Sequence, residues 1–416
     1  MDKLIKWLEN SFAPKLQKIT NLTWIVVIKD SMMQLLPFIL AGSIFCVGTI
    51  LNDYIPALPS FWTPFGWTMS KIGLMASFLI PFNYCEKKRF RKQRILAGFT
   101  GMMLFMICID PQSAEEMGQG HSLYGANGMF VAIFTGIIVG LVFGAFAKFS
   151  FFKEDSVIPD FVRQWFDSLL PIMLLIAGGW LIVQVAGVDV AGAVQAVFMP
   201  LQSALTSPVG FVFFCFLKCF IYSMGISTWV LTPVDEPVKL AVITANLELV
   251  AAGVATYQSL GIFTETFMFC TYLWIGGVGC TLSLCLLMMF ICKSSELKAL
   301  GRACVVPGIF NINEPIIFGA IAWNPLLMLP MWLQGIILPI VTYIFTKVIP
   351  FAPIPRIQFD LWYCPYPIST FIATQGSITG VIFAILTFVL SAVIWFPFVK
   401  AYDDQKVKEE TAAIKA

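Results

Sequence analysis

The sequence predicts an all-α membrane protein of about ten transmembrane helices, with re-entrant hairpins in its C-terminal half. Three observations lead there. Hydrophobic residues make up 58% of the 416 and charged residues only 12%, against roughly 25% charged in ordinary soluble domains; mean hydropathy is +0.84. Several apolar stretches exceed the ~18 residues that mark a spanning helix. Lys and Arg are bunched between those stretches rather than spread along the chain.

Composition also excludes. A net charge of +2 leaves no basic footprint for nucleic acid. The eleven cysteines lie mostly inside apolar runs, with no CxxC pair and no metal-type spacing, so they read as small buried hydrophobes. No metal and no cofactor is expected. The first twenty residues, MDKLIKWLENSFAPKLQKIT, are charged and amphipathic, and no cleavable signal peptide is expected there.

The apolar runs place spans at 24–50, 66–84, 95–110, 128–150, 168–187, 207–233, 266–292, 326–349 and 376–399. Cytoplasmic loops are enriched in Lys and Arg. Lys3, Lys6, Lys15 and Lys18 put the N-terminus inside, and the loop 86–94, EKKRFRKQR, is the strongest cytoplasmic marker. No Lys or Arg lies between Ile95 and Ala147, so the loop with Asp110, Glu115, Glu116 and His121 reads as external. Lys148, Lys153 and Arg163 return the chain to the cytoplasm. Residues 151–167 read as an amphipathic helix on the membrane interface, and the charged tail 400–416 as solvated and inside.

The second half is less regular. Lys239 reads as cytoplasmic, as do Lys293, Lys298 and Arg302, so an even number of passages must separate them. Only 266–292 is convincingly apolar, which leaves 236–264 to cross as a polar helix or to return as a hairpin. The stretch 303–325 is too interrupted by Pro, Gly and Asn for a simple span. Irregular backbone at membrane depth survives only where protein or a wet cavity satisfies it, and transporters build midplane binding sites from such broken helices. Two units follow: an N-terminal bundle of five helices over 1–187, ending with the interfacial helix and the fifth span, and a C-terminal unit over 188–416 that carries the hairpins.

Ionisable groups in apolar segments are costly and default to functional candidates. Asn311-Ile312-Asn313-Glu314-Pro315 sets a carboxylate and two carboxamides beside a helix-weakening proline, a good set of partners for several hydroxyls of a sugar. A structural carboxylate at a helix break, or a cation ligand, would explain the same residues. Lys218 stands alone in FVFFCFLKCFIYSMGIS and reads as a snorkelling or carboxylate-paired lysine. The polar stretch with Gly225, Ser227, Thr228, Asp235, Glu236, Asn246 and Glu248 suits a loop touching a solute or an ordinary cytoplasmic loop. Tyr222, Trp229, Trp323 and Trp362 could stack on the apolar face of a sugar ring, or serve interface and packing.

At 293–325, KSSELKALGRACVVPGIFNINEPIIFGAIAWNP, the chain closely resembles the membrane (IIC) component of the lactose/cellobiose/diacetylchitobiose family of the bacterial phosphoenolpyruvate-dependent sugar phosphotransferase system, and PGIFNINEPIIFG is its most specific segment. Weaker likeness covers LPFILAGSIF, YGANGMFVAIFTGIIVG, VIPDFVRQWFDSLLP, the glycine-rich WIGGVGCTLSL, matched to a seventh helix, and WFPFVKAYDD. The resemblance implies a bacterial inner-membrane sugar permease for disaccharides or oligosaccharides. It implies a homodimer with an N-terminal oligomerisation domain and a C-terminal transport domain holding two re-entrant hairpins. It also makes Glu314 the residue that binds the sugar near its phosphate-accepting hydroxyl and a possible proton acceptor, with Asn313 and Asn311 in the same hairpin.

Three departures stand out. Where the family has Gly-Ile-His-Gly, this chain has Gly225-Ile226-Ser227-Thr228, and Tyr222 replaces a tryptophan upstream. The family's Pro-Trp-Thr region becomes Leu361-Trp362-Tyr363-Cys364-Pro365, in which Trp362 can still supply the stacking ring. His121, the chain's one histidine, falls in an external loop and cannot replace the missing imidazole. No segment reads as a soluble domain with a phosphocysteine, so a separate cytoplasmic IIB protein would donate the phosphoryl group. A permease-derived facilitator or sensor that binds or moves solute without phosphorylation is the alternative.

The Lys and Arg distribution predicts that the loop 86–94 shares the cytoplasmic side with both termini. Single cysteines placed in 86–94 should label with a membrane-impermeant maleimide only after the cells are opened; labelling of intact cells would reverse the topology.

Overall fold

The computed structural model describes residues 7–55, 57–110, 122–147, 149–152 and 159–415. Lys3, Lys6, Glu115, Glu116, His121, Lys148, Lys153 and residues 153–158 of the expected interfacial helix lie outside that set. Among the described residues every regular element is helical, as lipid demands of a chain whose backbone must satisfy itself.

The first half follows the expected order. Helix α1 is Thr23–Tyr54, α2 Ile72–Lys87, α3 Arg94–Ile109 and α4 Met129–Phe146. Next comes α5, Asp160–Trp180, which continues as a wide turn to Val185. Two expectations change here. The short helix Trp62–Thr68 precedes α2, so the second span begins later than expected. The expected interfacial helix is not separate from the fifth span over its described part, because α5 runs unbroken from Asp160 through Pro171. Pro159 starts α5 from extended backbone, and beyond it nothing stops helix propagation.

Small residues bring α2, α3 and α4 together, the usual device where lipid offers no hydrophobic drive to association. A Cβ on Gly101 of α3 would lie 2.2 Å from the Ser77 carbonyl oxygen of α2, and one on Gly136 of α4 would lie 2.7 Å from Ile80. Polar pairs add to this. Asn83 donates to Ser31 Oγ at 2.9 Å and to Gln34 Oε1 at 3.1 Å, and Trp24 stacks on Tyr84 with centroids 4.3 Å apart. Outward-facing side chains are apolar, with Val209 79% and Phe290 69% exposed, as a lipid-facing surface requires.

The second half departs further from expectation. Helix α6, Val190–Thr206, was not anticipated; it meets α7, Pro208–Ser223, at an 81° bend. Ser207 caps α7 by accepting the Gly210 N–H at 3.0 Å, and Pro208 suits its first position. The expected span 207–233 stops at Ser223, because Gly225 at φ +71° turns the chain. Helix α8, Thr232–Ala251, follows, so the polar stretch read as a loop is mostly helix. Lys239 is buried within it. It is not a loop marker, and the parity argument that leaned on it loses its premise.

The run 266–292, the one convincingly apolar stretch between Lys239 and Lys293, is broken. A short helical segment ends at Tyr272, residues 273–280 are non-helical, and α9 is Thr281–Phe290. The cause is WIGGVGC, in which Gly276, Gly277 and Gly279 adopt φ of +85°, +93° and +90°. Helix α10, Ser295–Ile309, breaks at 310–313 and resumes at Glu314–Ile316, as its Pro, Gly and Asn content foretold. Helix α11, Pro325–Tyr343, extends to Val348. Helix α12, Ile378–Lys415, takes the charged tail into its length; the tail is mostly exposed, but Asp403 on it is buried. Among the described residues five helices are individually long and apolar enough to cross a membrane, or six if the bent pair α6–α7 is taken as one span.

Gly101→Leu should overpack the α2–α3 contact, where a Cβ already meets backbone, and lower stability by about 1–3 kcal/mol. A fall in the thermal unfolding midpoint of the detergent-solubilised protein checks this; an unchanged midpoint would mean that the two helices can part freely.

Candidate functional site

Helix breaks collect where the second half is least apolar. Asn311, at φ +60°, is buried and fully used. Its Oδ1 accepts the Gly276 N–H at 2.6 Å, and its Nδ2 donates to the Phe269 carbonyl at 3.2 Å and to the Trp362 carbonyl. Asn313 donates to the Val278 carbonyl at 2.9 Å and accepts the Tyr222 hydroxyl at 3.3 Å. Side-chain amides thus do for the non-helical backbone what water cannot do at this depth. Gly277 is required for the fit, since a Cβ there would sit 2.4 Å from Asn313 Cγ.

Around these breaks lies a cavity of about 400 Å³, walled by α1, α7, α8, the 265–278 stretch, the 311–314 break and Trp362. Glu314 opens α10's continuation and faces the cavity, and no cationic side chain pairs with it among the described residues. Four aromatic residues, Tyr222, Trp229, Phe269 and Trp362, line the same space, together with Thr228.

One wall is a buried charge network. Lys218 Nζ lies 2.7 Å from Asp235 Oδ2. Lys239 Nζ lies 3.4 Å from Asp235, 2.7 Å from Glu236 and 2.6 Å from Glu265. Three carboxylates therefore share two ammonium groups, and Lys218 has a named partner after all. Beyond Glu265 the polar contacts continue. Thr266 donates to Asp360 Oδ1 at 2.8 Å, Gln358 donates to Asp360 Oδ2 at 2.6 Å, and the Asp360 N–H reaches Ser43 Oγ of α1 at 3.0 Å.

Of the residues singled out from sequence, Glu314, Asn313, Asn311, Tyr222, Thr228 and Trp362 meet at this cavity. Three stand elsewhere. Ser227 is exposed and accepts the Trp229 N–H at 3.4 Å. Gly225 serves the turn after α7. Asn246 clasps Gly261, donating to its carbonyl at 2.8 Å and accepting its N–H at 2.7 Å. Trp323 is also away from the cavity, its N–H bonded to the Ser223 carbonyl. Sequence reasoning missed Lys239 and Glu265 as site residues. The spacing of Asp235, Glu236 and Lys239 on one helical face was the available signal for the first; Glu265 gave none.

A family described as "Phosphotransferase system, EIIC" matches residues 29–335. The chain belongs to the phosphotransferase system EIIC family. It is therefore the membrane-embedded permease component of such a system. This EIIC chain is 28% identical to a lactose-specific EIICB component of Staphylococcus epidermidis, over 99% of its own length and 72% of that protein's. It is 28% identical to a cellobiose-specific EIIC component of Geobacillus stearothermophilus, over 99% and 97% of the two chains. Its fold is similar to the crystal structure of the transporter ChbC, the IIC component from an N,N'-diacetylchitobiose-specific phosphotransferase system, with a TM-score of 0.87, 26% identity, and coverage of 97% of this chain and 99% of that one.

Removing one partner of a buried ion pair strands the other. Lys218→Met should lower stability by about 3 kcal/mol, and adding Asp235→Asn should recover part of it. Thermal unfolding of both variants decides; equal midpoints for Lys218→Met and the parent would mean that the pair carries no stability.

Proposed function

We propose that this EIIC chain binds a disaccharide or oligosaccharide in the cavity around Glu314 and presents it for phosphorylation by a separate cytoplasmic IIB protein. The observation that carries the reading is a carboxylate, with no cation partner among the described residues, facing a cavity of about 400 Å³ whose other walls combine aromatic rings with a buried charge network. A sugar offers hydroxyl donors to the carboxylate and an apolar ring face to Trp362, Trp229 or Tyr222. The volume lies within the ~300–1,000 Å³ of small-molecule pockets. Relatives named for lactose, cellobiose and oligo-beta-mannoside support a saccharide of this class, and favour the phosphotransferase reading over a facilitator. The EIICB relative joins the two components in one chain, which supports IIB as the partner.

In this reading Glu314 holds the hydroxyl that accepts phosphate and can take its proton, since Ser227, standing where the family has histidine, offers no base. Asn311 and Asn313 act one step back, by shaping the loop that Glu314 closes. The remaining features of the family pattern belong to the same proposal: a bacterial inner-membrane homodimer, an oligomerisation unit over 1–187, a transport unit over 188–416 with its broken elements as re-entrant hairpins, about ten passes, and both termini inside.

Glu314→Gln should weaken cellobiose or lactose binding to the purified protein by about 1–3 kcal/mol, the worth of a charge-assisted hydrogen bond, and abolish IIB-dependent formation of sugar phosphate in vesicles. Isothermal titration and phosphosugar analysis read the two effects. Unchanged affinity in a folded variant would remove Glu314 from the site.

A further inference from the structure

Helix α10 delivers the break 310–313 and Glu314 at its C-terminal end. Its N-terminus is about 22 Å away, at 1.5 Å per residue. Helix N-termini leave four N–H groups without partners in the helix and favour negative charge. Ser294 meets one in the ordinary way, its Oγ accepting the Leu297 N–H at 3.2 Å. The others go to α12, more than a hundred residues later. Asp403 accepts the Lys293 N–H at 2.9 and 2.8 Å and the Ser294 N–H at 2.8 Å. Glu410 accepts the N–H of Ser295 at 3.2 Å and of Glu296 at 3.0 Å, and the hydroxyls of Ser294 at 2.7 Å and Ser295 at 3.1 Å. Between them Lys406 pairs with Glu296 at 3.1 Å.

The same helix touches the glycine loop. About 18 Å back along α12, Ser391 Oγ lies 2.8 Å from Ser283 Oγ and donates to the Cys280 carbonyl at 3.2 Å. The Ser391 carbonyl accepts from Gln334 of α11 at 2.9 Å. Cys280 ends the stretch 273–280 that Asn311 and Asn313 hold. One continuous helix, with Pro397 between the two contacts, thus grips the glycine loop at its exit and α10 at its start, and Glu314 lies on the connection between those grips. A local cap would need only Ser294; here two carboxylates are added from a distant helix, one of them, Asp403, buried.

We propose that Asp403 and Glu410 are positioning residues for the sugar site, holding α10 so that the 310–314 segment and Glu314 face the cavity. The inference rests on the reading of Glu314 as a sugar ligand, and its test separates the two. Hydrogen exchange on the full-length protein, followed by mass spectrometry, compares the parent with Glu410→Gln and with Asp403→Asn. Exchange should quicken at 293–297 and also at 308–314, at the far end of α10. Cellobiose affinity should fall about fivefold, with little further loss in a Glu314→Gln background, the non-additivity expected of coupled residues. Acceleration confined to 293–297 would make the contacts mere local caps and overturn the proposal, as would an equal affinity loss in both backgrounds. Should Asp403→Asn fail to fold, Glu410→Gln, on a half-buried residue, decides alone. If Glu314→Gln binds cellobiose as the parent does, the sugar-site reading falls, while exchange at 308–314 still decides whether the tail aligns this segment.

Discussion

Backbone that leaves the helix inside a membrane protein must have its N–H and C=O groups met by protein, because lipid offers nothing. In this chain the demand falls on 273–280 and 310–313, and two asparagines carry much of it. Asn311 holds Gly276, Phe269 and Trp362 at once, and Asn313 holds Val278. The cavity, the exposure of Glu314 and the placing of Trp362 all follow from that clasp. Glycine is needed on the other side of it, since Gly276, Gly277 and Gly279 take backbone conformations that side chains resist and Gly277 leaves room for Asn313. A site made this way is stiff where its walls are bonded and open where Glu314 stands.

The charges near the cavity divide into two kinds. Lys218, Asp235, Lys239, Glu236 and Glu265 satisfy one another, so their burial is tolerable. Their continuation through Thr266, Asp360 and Ser43 ties the cavity wall to α1. Among the described residues Glu314 has no such cation, and in the proposed reading that difference marks it as the ligand-facing carboxylate more clearly than residue type does. Ser227, read from the resemblance as standing where the family has histidine, follows the same logic. Its hydroxyl is turned to the Trp229 amide rather than to the cavity, so the substitution alters a turn before it alters a wall.

Much was legible without coordinates. Composition and the long apolar runs were enough for an all-helical membrane protein, because hydrocarbon tolerates little else. The break near Asn311 was readable because Pro, Gly and Asn act locally, and the family followed from PGIFNINEPIIFG. The break inside 266–292 was harder. Its residues are apolar enough for a span, and only the cluster of glycines hinted that the chain could turn there. Helix α6 escaped notice because Gly192, Gln195, Pro200, Gln202 and Ser203 interrupt its apolar run.

What the sequence by itself determined is the class of the protein, the family it belongs to, and a carboxylate, Glu314, in a broken apolar segment. These are properties of residue type and neighbours along the chain. Tertiary structure alone decided which polar groups are spent on each other. Lys239 looked like a cytoplasmic loop residue and is a buried partner of three carboxylates. Asn246 looked like a site residue and is a clasp on Gly261. The charged tail, largely exposed as expected, also caps α10 through buried Asp403 and half-buried Glu410. In each case the partner lies far along the chain or on another helix, and a polar side chain in sequence carries no mark of whether its bonds will go to protein, to water or to a ligand.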